Sequence, residues 1–110
     1  MKIVRFAKRD AIRFDQEWRA AIRELDGGRT VGSLELATWY DRAKSGIRFA
    51  HDGGTTCGSV HFDEDETVPD PSEMCEQLEL DAAWFFASDF TWAIHAGHED
   101  WDLAKVFEST

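Results

Sequence analysis

The sequence predicts an α+β fold: one small acidic domain over residues 1–110, a mostly antiparallel sheet with two main helices packed on one face, and a short C-terminal helix. Three observations carry that expectation. Runs of alternating apolar and polar residues recur at Lys2–Ala7, on either side of Gly53-Gly54, and at Phe90–His95. Between them lie stretches whose apolar residues fall at helical spacing. A chain of 110 residues can also bury about two-thirds of its unfolded surface in one core, whereas two smaller domains would need metals or several disulfides.

The elements follow in order. Lys2–Ala7, with Ile3, Val4 and Phe6, reads as a first strand. From Asp10 to Leu25 the apolar positions Ala11, Phe14, Trp18, Ala21, Ile22 and Leu25 form one helical stripe, which Gly27-Gly28 ends. Thr30–Ser45 fits two descriptions. Leu34, Leu36 and Tyr40 suit a strand, while Ser33 as a cap and Gly46 as a stop suit a helix. A strand over Val31–Thr38 is the choice that gives the following hairpin a sheet to join. That hairpin runs Ile47–His51, a turn at Asp52-Gly53-Gly54, then Thr55–Phe62. Its parity puts Ile47, Phe49, Val60 and Phe62 on the core face and Arg48, Ala50, Cys57, Ser59 and His61 on the other. Asp70-Pro71-Ser72-Glu73 is a helix-start signature. The helix is expected to bury Met74, Cys75, Leu78, Ala82, Phe85 and Phe86 and to stop at Ser88-Asp89. Phe90–His95 alternates as a strand, and Glu99–Glu108 is the expected terminal helix, burying Trp101, Ala104 and Phe107.

Charge is the most uneven property of the chain. Its 22 Asp and Glu against 12 Lys and Arg give a formal net charge of −10. Residues 1–50 hold 11 basic and 7 acidic side chains, a net of +4, whereas residues 51–110 hold 15 acidic side chains and only Lys105 as a base, a net of −14. Pairing of Arg13, Arg19 and Arg23 with acidic neighbours cannot cancel that excess, so a negative field is expected on the surface. Such a field repels nucleic acid and anionic membranes and draws in basic surfaces. The chain contains no apolar run approaching 18 residues, and its start lacks the apolar core of a signal peptide, which predicts a cytoplasmic protein with no membrane span.

The common catalytic and binding motifs are missing. No Cys-x₂₋₄-Cys pair accompanies His51, His61, His95 and His98, and the hairpin parity separates His51 from Cys57 and His61, so no metal site is expected. Cys57 is neither at a helix N-terminus nor in a nucleophile elbow, and Cys75 sits on the buried stripe of an acidic helix, which raises its pKa. Both read as small core residues, and a cytoplasmic compartment disfavours a disulfide between them. Neither phosphate-binding loop pattern occurs, and Asp63–Glu66 lacks the spacing of a calcium loop. No cofactor and no catalytic residue are assigned, and an enzyme is not expected.

What the sequence does offer is an acidic surface and five tryptophans. The expected reading is a small interaction protein that binds and inhibits a partner with a basic, nucleic-acid-handling surface: a nuclease, a deaminase or another defence effector. Asp63, Glu64, Asp65, Glu66, Glu73, Glu76, Glu79 and Asp81 would supply the field, with Trp39, Tyr40 and Trp84 as candidate anchors. The size and strand–helix layout resemble small immunity proteins of polymorphic toxin systems, in architecture and composition rather than in any motif. Phage anti-defence proteins that mimic the charge of DNA follow the same logic. The alternatives are a structural or assembly subunit, or a small ligand- or metal-binding domain with His61, His95 and His98 as its polar groups.

Overall fold

The computed structural model describes residues 1–25, 29–30, 46–87, 92–97 and 101–106. The expected strand over Val31–Thr38, the anchors Trp39 and Tyr40, and His98 lie outside these residues. Among them the chain forms seven strands and two helices. The strands are β1 (Lys2–Arg5), β2 (Arg29–Thr30), β3 (Ile47–His51), β4 (Cys57–His61), β5 (Ala82–Phe86), β6 (Trp92–Gly97) and β7 (Trp101–Val106); the helices are α1 (Lys8–Leu25) and α2 (Pro71–Gln77). The strands make one sheet in the order β1-β4-β3-β5-β6-β7-β2, antiparallel throughout. The α+β expectation holds.

The hairpin has the expected parity. Ile47 pairs with Val60 and Arg48 with Ser59, so the two sets of side chains face opposite ways. Phe49 then lies opposite Phe85, and Phe85 opposite Ile94, on one face; Ala50 lies opposite Trp84 on the other. Both faces of the central strands are therefore apolar, and each has its own cover. Met74 and Cys75 of α2, with Leu78 at its C-terminal cap, pack with Ile47, Phe49, Val60, Phe85 and Ile94. Phe14 and Trp18 of α1 pack with Ala50, Cys57, Phe86 and Ala93. Phe14 meets the Phe86 ring edge-on at 6.0 Å between centroids, and Trp18 lies tilted 5.9 Å from the same ring.

Three expectations are corrected here. The helices do not share a face: they lie on opposite sides of the sheet, because a sheet apolar on both sides must be covered twice. The second helix does not run to Ser88. It stops at Gln77, Glu79 takes a left-handed φ of 59°, and Ala82–Phe86 is the central strand β5. A strand buried on both faces has no alternation, so its five-residue apolar run mimics a helix stripe. Finally, Trp101–Val106 is strand β7 rather than helix. It pairs from Trp92↔Val106 to Ala96↔Trp101 around a bulge at His95/Ala96, so the ladder of β6 overrides a weak helical spacing.

Candidate protein-binding surface

Residues 62–81 connect β4 to β5 and cover the α2 face. Phe62, Val68, Pro71, Met74, Cys75, Leu78 and Leu80 anchor the segment inward. Between these anchors stand nine carboxylates and no Lys or Arg: Asp63, Glu64, Asp65, Glu66, Asp70, Glu73, Glu76, Glu79 and Asp81. Local chemistry fixes several of them. The Asp63 and Glu66 backbones close a turn, with the Glu66 N–H donating to the Asp63 carbonyl at 3.1 Å. The Glu66 carboxylate accepts from the Asp63 N–H at 2.9 Å and also receives the Met1 ammonium. Asp70 caps α2, accepting from the Glu73 N–H at 3.0 Å, with Pro71 at the first helical position. Asp63, Glu64, Asp65, Glu73, Glu76, Glu79 and Asp81 are exposed.

The basic side chains of α1 do not reach this layer. Arg19 donates to Asp15 at 3.0 and 3.1 Å, and Arg13 pairs with Glu17 at 3.5 Å, so both are occupied within their own helix on the opposite face. The charge imbalance between the two parts of the sequence thus becomes a layering among the described residues: mixed charge over α1, and over α2 the carboxylates of residues 62–81, with the Met1 ammonium on Glu66. Trp84 belongs to the α1 side. Half-buried, it stacks on Phe86 at 6.3 Å and leans on the His95 ring at 4.9 Å, so the fold does not bring it together with the acidic residues.

Two histidine–carboxylate pairs stand at one end of β3, β5 and β6. His51 Nε2 lies 2.6 Å from Asp81 Oδ1, and His95 Nε2 lies 2.8 Å from Asp52 Oδ2. The His51 hydrogen bond, followed by the Ala82 N–H at 3.0 Å, holds the Asp81 carboxyl below its ordinary value. Sequence reasoning missed both pairs, because their members are 30 and 43 residues apart. The available signal was the hairpin parity, which already put His51 away from Cys57 and His61.

The chain matches no known protein family, no curated protein and no solved structure. Function must be argued from the site.

Nucleophilic chemistry finds no support in the two thiols. Burial pushes Cys75 up to about 11, with Asp81 adding to the effect, and burial followed by Asp15 raises Cys57. Both thiols are free, and they belong to different apolar clusters on opposite faces of the sheet. Among the described residues no group of three His, Cys, Asp or Glu side chains is placed to hold a metal ion, and no helix is long and apolar enough to cross a membrane.

Proposed function

We propose that this protein is an acidic interaction protein that binds and inhibits a partner through that partner's basic, nucleic-acid-handling surface, as a toxin-immunity protein or a DNA-mimic inhibitor does. One observation carries the reading: the segment from Phe62 to Asp81, packed against one face of the sheet by its apolar side chains, holds nine carboxylates and no Lys or Arg. A nuclease, a deaminase or another defence effector that grips phosphates presents the complementary charge, and such complementarity steers encounter and selects partners. The two free thiols suit a reducing cytoplasm as the place of action.

The test has two arms. The tagged protein is used to capture partners from lysates at about 0.1 M and about 0.5 M salt, conditions across which exposed charges are increasingly screened. A nucleic-acid-processing protein held at the lower salt and shed at the higher supports the proposal. An empty capture, or a partner held equally at both, overturns it. With a partner in hand, a variant carrying Asp65→Lys, Glu73→Gln and Glu76→Lys should associate roughly tenfold or more slowly at about 0.1 M salt. Glu17→Lys on the α1 face should change the rate little.

A further inference from the structure

We propose that the free edge of β1 pairs with the same edge of a second copy of this chain, antiparallel and centred on Val4, so that two sheets join into one. Among the described strands β1 ends the sheet and pairs only with β4. The Phe6 N–H donates to the Cys57 carbonyl at 3.0 Å, which sets the phase of the ladder. Lys2, Val4 and Phe6 turn their backbone groups towards β4, whereas Ile3 and Arg5 turn theirs away. The N–H and C=O groups of Ile3 and Arg5 have no hydrogen-bond partner among the described residues. An unpaired edge of this kind is a template for another strand.

Register and charge together select a second copy as the occupant. Setting Ile3 opposite Arg5 of the second copy places every outward group of both chains in a mutual hydrogen bond. Sliding the pair by two residues would put Arg5 directly opposite Arg5, a repulsive pairing. The favoured register puts the two-fold axis at Val4, whose side chain is 40% exposed and meets its own copy there. Charge runs along the edge in the complementary sense. Lys2 lies opposite His61, so the acidic turn of residues 63–66 stands at the start of β1. Lys8 and Arg9 follow its end, exposed and with no ion-pair partner among the described residues. Antiparallel pairing carries Lys8 of each copy beyond residue 1 of the other, to that copy's acidic turn, and symmetry makes the contact twice. An acidic strand would meet the carboxylates of the turn, and a basic strand would meet Lys8 and Arg9; only a strand with opposite charges at its two ends suits both. This surface is independent of the proposed inhibitory role.

The interface is small, so association is expected in the range of about 10–1,000 µM, where sedimentation equilibrium should resolve monomer and dimer. Val4→Lys sets like charges against each other at the axis, and Arg5→Pro removes an outward N–H that β4 does not use. Each should weaken the dimer at least tenfold and leave the monomer folded. K8E/R9E should weaken it as much, and K8E/R9E/D63K/D65K, which exchanges the signs of the two ends and returns the net charge to −10, should restore it. Amide exchange followed by NMR should show Ile3 and Arg5 increasingly protected as concentration rises, while Val4, bonded to β4, stays unchanged. A monomer at about 1 mM, an undiminished dimer in Val4→Lys, no restoration by the charge exchange, or exchange at Ile3 and Arg5 that ignores concentration each overturns the assignment.

Discussion

Glu79 shows how much one residue can hide. Helix α2 ends in a Schellman arrangement: the Leu80 N–H reaches the Cys75 carbonyl at 3.0 Å and the Glu79 N–H reaches the Glu76 carbonyl at 3.1 Å. The position between them needs φ near 59°, where glycine is usual, yet the side chain is Glu. A helix stop without glycine is invisible to pattern reading, which is why the helix was expected to continue through Ala82–Phe86. Replacing Glu79 by Gly should relieve left-handed strain of about 1–2 kcal/mol at some cost in unfolded-chain entropy, for a net gain of about 0.5–1 kcal/mol. Thermal unfolding should show a melting temperature higher by about 3–6 °C, with Glu79→Gln unchanged as the control for charge. A lower or equal value for Glu79→Gly would contradict the strain. Asp81 makes a pH-dependent contribution of defined sign. Its folded pKa is depressed, so its stabilisation is present above the ordinary value of 3.8 and is lost as pH falls through the folded value. Denaturant titrations of the wild type and Asp81→Asn should therefore differ fully above about pH 5 and converge as the pH falls well below 3.8; a gap independent of pH would show that the carboxylate charge is not responsible.

At the level of elements, α1 was legible because it has one buried side and one wet side, and the hairpin because small or polar residues alternate with its large apolar ones around a glycine-rich turn. Ile47 and Phe49 are fully buried, and Phe14 and Trp18 of α1 nearly so, at the expected periodicities. Strand β5 was not legible, since burial on both faces erases its alternation, and β7 owes its conformation to a partner strand that a local pattern cannot display. The edge strand β1 depends on a close approach that only glycine permits. Arg5 pairs with Gly58, and a Cβ at Gly58 would collide with the Val4 carbonyl oxygen, which no rotamer change can relieve. Gly58→Ala should cost on the order of 2 kcal/mol or more, by forcing backbone movement. Hydrogen exchange should locate the loss: amides of β1 become unprotected while those of β5 and β6, in the middle of the sheet, stay slow. Uniform loss across the sheet, or none, would show that β1 is not held through this contact.

For the whole molecule, charge was the most legible property and its placement the least. The sequence shows where acids and bases fall along the chain, but only the fold reveals that α1 keeps its cations on one face while residues 62–81 spread their carboxylates over the other. The expected tenfold slowing of association by charge reversal belongs to this scale, because it depends on the summed field rather than on any one contact. The candidate site was thus half legible: its acidic residues were foreseen, whereas Trp84 proved to lie across the sheet from them, stacked on Phe86. Among the described residues no charged or polar residue belongs to the buried core, and none of the nine carboxylates enters either apolar cluster. Recognition and architecture are consequently written in different letters of the same sequence. Substitutions at exposed positions such as Asp65 or Glu76 typically move stability by no more than about 0.5 kcal/mol, so under the proposed inhibitory role a lineage could rewrite its acidic coat, one codon at a time, while the scaffold beneath is inherited intact.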